Sequence, residues 1–209
     1  MFTGIIEEIG TIAAIRRGNQ SVALSVSCHK VLEGTKIGDS IATGGVCLTV
    51  TSLSEMGFTA DVTTETLRCT AFSFWPVGTH VNLERALTLS SRIGGHLVSG
   101  HIDGTGRITD IRQVGNSVEI SVSADAALMK YILKKGSIAV DGVSLTVAAR
   151  EAGHFTVSVI PTTAGETTIL ERRIGDLVNL ECDMVGKYIE QFTKEAASDL
   201  SLEKLERLL

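Results

Sequence analysis

The heptad Gly44-Gly45-Val46-Cys47-Leu48-Thr49-Val50 returns 97 residues later as Asp141-Gly142-Val143-Ser144-Leu145-Thr146-Val147. Nothing else in the chain limits its fold as strongly, because a repeat of this length means one structural unit used twice. The correspondence is collinear over some ninety residues. Phe58-Thr59 is answered by Phe155-Thr156, and Val81-Asn82-Leu83-Glu84 by Val178-Asn179-Leu180-Glu181. Upstream, Gly10-Thr11-Ile12 is echoed by Gly106-Arg107-Ile108 at an offset of 96, so a one-residue indel separates the blocks. Two copies of one module follow, and function has to be read from the positions where they differ.

Each copy is rich in strand signals. Ser21–Ser27 and Ser117–Ser123 alternate apolar with small polar residues, the period of a half-buried strand. Further strands are expected at Ser40–Ala42, Val46–Val50, Gly57–Val62 and His80–Glu84. Their counterparts are Ser137–Val140, Val143–Val147, Phe155–Ile160 and Leu177–Glu181. Short helices are expected at Lys30–Leu32, at Glu65–Thr70 behind a Thr63 or Thr64 cap, and at Ala126–Leu133. Six short strands per copy, with no long helix between them, predict an all-β architecture. It consists of two tandem six-stranded Greek-key barrels, since closure removes the exposed sheet edges. The units are placed at residues 1–96 and 97–184, followed by a helical tail over 185–209. In that tail Ile189, Phe192 and Ala196 recur at helical spacing. After an interruption at Ser198-Asp199, Leu202, Leu205, Leu208 and Leu209 resume the stripe. It packs either on its own barrel or against the same helix of other subunits.

Net charge of −5 and few aromatics disfavour nucleic acid, which calls for a basic or base-stacking face. No leader pattern opens the sequence and no run of 18 apolar residues suggests a membrane span. Cys28, Cys47, Cys69 and Cys182 fit neither zinc spacing nor a disulfide framework, so free thiols in the cytoplasm are expected.

The copies differ at chemically pointed positions. Cys47 faces Ser144, Gly44 faces Asp141, Ile5 faces His101, and Arg85-Ala86 faces Cys182-Asp183. Each swap puts a reactive group in one copy only. On its own, a cysteine beside a glycine turn is more often a small buried hydrophobe. A lone histidine is more often structural, and an aspartate at a strand end is more often simply solvated. The residues by themselves lead to a duplicated barrel that binds two similar ligands, with acid–base chemistry open.

Several stretches nevertheless resemble one family. Met1-Phe2-Thr3-Gly4-Ile5-Ile6, Gly45–Val50, Glu65-Thr66-Leu67-Arg68, Val81–Ala86, Gly94–His101 and Asp141–Val147 are similar to signatures of the alpha-subunit riboflavin synthases, built from two lumazine-binding repeats. The resemblance covers about residues 1–190. It implies a dismutation without cofactor or metal. One 6,7-dimethyl-8-ribityllumazine gives a four-carbon unit to another, yielding riboflavin and 5-amino-6-ribitylamino-uracil. It also implies a homotrimer joined by the tail, a site between the N-barrel of one subunit and the C-barrel of a neighbour, and association with lumazine synthase.

Roles carried by the resemblance are specific. Ser40, Cys47, His101 and Asp183 match the catalytic group, which must take a proton from the lumazine 7-methyl. Around the N-barrel ligand, Cys47, Leu48 and Thr49 match substrate contacts, as do Asp61, Val62, Thr63, Thr64, Glu65 and Thr66. Gly4, Ile5, Ile6, Gly100, His101 and Ile102 match contacts as well. The second pocket is matched by Lys135, Ser144, Leu145, Thr146, Val159, Ile160, Pro161, Thr162, Thr163 and Ala164. One departure stands out: the family usually has Asn where this chain has Gly44. Glycine can adopt the same turn, so the hairpin is expected to survive. Two rivals are a non-catalytic lumazine- or flavin-binding antenna protein and a flavin-dependent reductase. The reductase would need a glycine-rich nucleotide-binding domain for which no motif exists here.

Overall fold

The computed structural model describes residues 1–18 and 21–199. Strands β1 (Glu8–Arg17), β2 (Ser21–Ser27), β3 (Ser40–Thr43), β4 (Val46–Ser54), β5 (Gly57–Thr63) and β6 (His80–Arg85) close in the order β1-β2-β5-β4-β3-β6. The second copy repeats that circuit with β7 (Gly104–Val114), β8 (Ser117–Ser123), β9 (Ser137–Val140), β10 (Val143–Glu151), β11 (His154–Val159) and β12 (Leu177–Cys182). Two closed antiparallel barrels and a C-terminal helix are therefore present, as the repeat predicts. Alternation decides what fills them. In β4, Val46, Leu48 and Val50 are buried, while Cys47 is half-buried and Thr49 exposed.

The helices are short except the last: α1 (Thr64–Cys69), α2 (Ala126–Met129), α3 (Pro161–Glu166) and α4 (Met184–Asp199). Thr63 caps α1, its hydroxyl accepting from the Thr66 N–H at 3.1 Å. The helix expected over Ala126–Leu133 ends at Met129. Tyr131 and Ile132 continue in tighter turns, bonding back to Leu128 and Met129. The chain must then swing Lys135 and Gly136 onto Val147, and Lys135 takes a positive φ of 67° to do so. β11 begins one residue earlier than expected and stops at Val159, because Ile160 and Pro161 open α3. Helix α3 escapes sequence reading since Thr162-Thr163-Ala164-Gly165 has little helical preference. Helix α4 runs unbroken through Ser198 to Asp199. The leucines at 202, 205, 208 and 209 lie outside the described residues.

Contacts between the barrels obey a pseudo-two-fold relation. On β6 and β12 the inward residues are Val81 and Leu83, and Val178 and Leu180. The alternate positions, Asn82, Glu84, Asn179 and Glu181, are also buried: the asparagines bond across to the other copy, and the glutamates hold their own copy's entering segment. The Asn82 side chain donates to the Asp141 carbonyl at 3.0 Å and accepts from the Thr168 N–H at 2.8 Å. Asn179 donates to the Gly44 carbonyl at 2.9 Å and accepts from the Ala71 N–H at 2.7 Å. The two hairpin turns touch: a Cβ on Gly45 would lie 2.6 Å from the Gly142 nitrogen.

The segments entering each barrel are exchanged. Phe2 and Val98 pair with each other, at 2.7 and 3.0 Å, on the pseudo-axis. Beyond them Glu84 receives the Thr3 N–H and hydroxyl on one oxygen and the Gly4 N–H on the other, at 2.7, 2.6 and 2.9 Å. Glu181 does the same for Ser99 and Gly100, at 2.6, 2.7 and 2.9 Å. Each carboxylate fixes its own copy's entering segment, and that segment then leans on the opposite barrel. The Gly100 carbonyl accepts the Cys47 N–H at 2.9 Å, and the Gly4 carbonyl accepts the Ser144 N–H at 2.8 Å.

Candidate functional site

In each barrel one pair of neighbouring strands is joined along only part of its length. β4 and β5 pair from Ser54↔Gly57 to Val50↔Ala60. Toward the Gly44-Gly45 turn, β4 continues beside β3 and β5 continues beside β2. The strands part there and leave a slot. The second barrel parts likewise: the β10–β11 ladder ends at Val147↔Val157, after which β10 follows β9 and β11 follows β8. By the alternation of an antiparallel ladder, Cys47 and Thr49 turn their main-chain groups away from β3 and into the slot. Gly100 takes up the Cys47 N–H. The chain groups of Thr49 face the opening.

This geometry explains a mixed set of predicted residues. Leu48, Val62, Leu145 and Val159 are core residues with buried side chains. By the same alternation their main-chain groups belong to the ladders with β3, β2, β9 and β8. Thr49, Asp61 and Thr63 are exposed along the first slot, with Thr64, Glu65 and Thr66 on the α1 turn beyond. Glu65 is held as an ion, its carboxyl lowered to about 2 by hydrogen bonds from Arg68 and then Cys69. His101 and Ile102 follow Gly100 past Cys47. Ser40 pairs with Thr49 across β3 and β4, and Ala42 with Cys47, so Ser40, Cys47 and Thr49 share one outer face. Cys47 packs against the small cluster of Phe2, Ala42, Val98 and Ala139.

The second slot is built the same way with different groups. Ser144 and Thr146 stand where Cys47 and Thr49 stand, and Ile160, Pro161, Thr162, Thr163 and Ala164 form the α3 side. Gly4, Ile5 and Ile6 belong to this slot through the Gly4–Ser144 contact, whereas Gly100, His101 and Ile102 belong to the first. A Cβ on Gly4 would come 2.6 Å from the Ser144 Cβ, and one on Gly100 would come 2.5 Å from the Cys47 Cβ. Only glycine lets these segments lie against the slots. Lys135 sits at the rim in left-handed backbone, bonding Val147, where the first copy has Gly38 bonding Val50. A lysine kept in that conformation costs on the order of 1 kcal/mol, and such strain concentrates at functional places.

Two swaps read from sequence as reactive are structural. Asp141 is fully buried, accepts the Asn179 N–H at 2.8 Å and pairs with Arg172 at 2.9 Å. It locks the second hairpin. Cys182 is buried behind Leu128, and burial pushes its thiol up to about 12. Asp183 caps α4, accepting the Val185 N–H at 3.0 Å. A cleft of about 760 Å³ runs along β3, β6 and the inter-barrel connection, over the Glu7–Arg85 ion pair. Of the predicted residues only Ile5 and Ser40 line it, and it contains neither Cys47 nor His101. Most of the predicted residues lie along the parted strands and not in this cleft. Among the described residues no group of three or more His, Cys, Asp or Glu side chains could hold a metal ion.

Sequence reading overlooked the residues that tie down the entering segments and the hairpin turns. Glu84, Glu181, Asn82 and Asn179 are buried polar groups, and the visible signal was Asn and Glu retained at alternate positions in both copies of one apolar strand. It also overlooked His96, whose ring nitrogen Nδ1 lies 2.7 Å from the Ser144 hydroxyl.

The comparisons with known proteins agree with this architecture. The family model for the lumazine binding domain matches twice, at residues 3–86 and 99–183. The riboflavin synthase of Actinobacillus pleuropneumoniae is 49% identical, covering 99% of both chains. That of Bacillus subtilis (strain 168) is 47% identical, covering 94% of this chain and 91% of its own. Crystal structures of LumP complexed with 6,7-dimethyl-8-(1'-D-ribityl) lumazine and with riboflavin share the fold. They give TM-scores of 0.79 and 0.81 at 23% identity, covering 87% of this chain and 99% of theirs.

Proposed function

This chain belongs to the riboflavin synthase family, and from that premise we propose that its two slots hold the two lumazines of one dismutation. The enzyme is a transferase: a four-carbon unit passes from one 6,7-dimethyl-8-ribityllumazine to another, giving riboflavin and the ribitylamino-pyrimidine. The observation that carries the reading is the pair of slots itself, alike in backbone and unlike in chemistry. Cys47 and His101 border one, Ser144 and Lys135 the other.

The first slot suits the ligand that must lose a 7-methyl proton. His101, Ser40 and Cys47 are the groups available to take it or to add to the ring. Main chain at Thr49, turned away from β3, suits the edge of a heterocycle, and Asp61, Thr63 and Thr66 suit ribityl hydroxyls. Holding two rings in register would account for much of the acceleration, since orientation alone is worth up to about 7–11 kcal/mol.

Within one chain, Phe2, Ala42, Val98 and Ala139 pack between the two hairpins. This favours a site completed by another copy, N-barrel slot against C-barrel slot. Helix α4 supports a homotrimer through an apolar face left open among the described residues: Val185, Tyr188, Ile189 and Phe192 are each more than half exposed. Four free cysteines are compatible with a reducing cytoplasm, and none of the described helices is long and apolar enough to cross a membrane. An association with lumazine synthase, which would hand over the substrate, completes the reading.

The test is direct. Incubation of the pure protein with 6,7-dimethyl-8-ribityllumazine alone should yield riboflavin, half the substrate appearing as the pyrimidine. Binding without product would return the protein to the antenna class. Removal of residues 185–209, which takes away Val185, Tyr188, Ile189 and Phe192, should reduce a trimer to monomers in solution, and a truncated chain that stays trimeric would reject the tail as the subunit contact.

A further inference from the structure

His96 lies in the connection between the barrels, outside both matched repeats, so comparing the copies could not reveal it. It is 9% exposed. Its main-chain N–H donates to the Thr3 carbonyl at 3.1 Å, and its Nδ1 is 2.7 Å from the Ser144 Oγ. The other ring nitrogen, Nε2, is buried and has no hydrogen-bond partner among the described residues. Gly95 makes this approach possible: a Cβ there would be 2.2 Å from the Thr3 oxygen and 2.8 Å from the Ser144 Oγ. The connection is thus pressed into the second slot, and a buried polar atom left without a partner is costly unless something arrives to meet it. We propose that His96 is the positioning residue of the second slot: as a neutral imidazole it accepts the Ser144 hydroxyl proton at Nδ1 and turns the serine oxygen toward the ligand as an acceptor. Ser144 then selects a ring N–H or a ribityl O–H, while Nε2–H is left to donate to ligand or water.

The electrostatics allow it. Burial lowers the His96 pKa, against the opposing carboxylates of Asp183 and Glu181 that face it, so the ring stays neutral near pH 7 and one nitrogen can accept. Glu181 is itself engaged by Ser99 and Gly100, and Glu84 by Thr3 on the other side.

The inference rests on Ser144 contacting a lumazine, and wild-type riboflavin formation tests the wider function separately. In the full-length protein, His96→Phe should lower kcat about 10–100-fold, the range for losing a hydrogen bond that acts on a reacting ligand. His96→Asn, whose amide oxygen can stand where Nδ1 stands, should recover kcat to within about threefold of wild type. Ser144→Ala should match His96→Phe, and the double variant should be no worse than either. H96N and S144A should share one acid-side kcat profile, different from that of wild type, in which His96 takes a proton and stops accepting. Additive losses in the double variant, or an H96N profile identical to wild type, would overturn the proposal. A fully active S144A would overturn it too, while leaving wild-type turnover intact. If H96F does not fold, the H96N profile and S144A decide the matter.

Discussion

The two hairpins, Gly44-Gly45 and Asp141-Gly142, have the same backbone and opposite fillings. In the first, φ is 53° at Gly44, and the Trp75 ring occupies the space of a side chain: a Cβ there would lie 2.5 Å from it. In the second, φ is 46° at Asp141, and the side chain is present, buried and tied to Arg172. Aspartate tolerates this left-handed backbone better than most residues. The two fillings meet, because the Arg172 guanidinium lies 4.8 Å over the Trp75 ring. Divergence between the copies was therefore not independent site by site. At Gly44 the indole of Trp75 stands where a side chain would begin.

The largest way to break that comparison is Asp141→Ala. It leaves the Arg172 charge buried beside Trp75 and should cost about 3–5 kcal/mol in urea unfolding. A loss below about 1 kcal/mol would mean the second hairpin does not depend on the lock. Cys47→Ala should lower kcat about 100-fold, as for removal of a group that handles a proton or adds to the ring. Exchanging the two slots in C47S/S144C should leave activity as low, and recovery would show them interchangeable. Gly44→Asn should cost about 1–3 kcal/mol through the clash with Trp75. The cost should shrink in a Trp75→Leu background, and equal costs in both would deny the coupling.

The smallest effect concerns the paired carboxylates. Glu84→Gln and Glu181→Gln should each cost about 1–2 kcal/mol near pH 5, since each oxygen set serves the same three donors. Burial raises the Glu84 pKa despite its bonds from Thr3 and Gly4. A raised carboxyl contributes stability that is full below the unfolded value and lost as pH rises through the folded one. The penalty of E84Q should therefore be smaller at pH 8 than at pH 5, and a penalty growing with pH would contradict that sign.

The sequence carried the duplication, the strand sets and the short helix after β5, because period-two alternation and a threonine cap are local signals. It did not carry α3, whose residues fold as a helix only because the repeat and Pro161 place them there. It placed Asp141 and Cys182 among reactive swaps, since only burial distinguishes a locked carboxylate from a working one. The candidate site was legible as types of residue but not as two slots. Nothing in a linear reading says that Gly4 belongs with Ser144 and Gly100 with Cys47. That assignment comes from strands parting and from chain exchange, both of them long-range.

Each entering segment leans on the barrel its own copy does not build, so neither half is finished alone. A single-copy ancestor could have formed the same arrangement by meeting its twin and trading leading ends across a two-fold axis. Joining the twins with a short connection would make that meeting intramolecular and free the two openings to specialise. Split into its halves, the present molecule should work only when both are mixed, and each isolated half should show an uncovered edge at Cys47 or at Ser144.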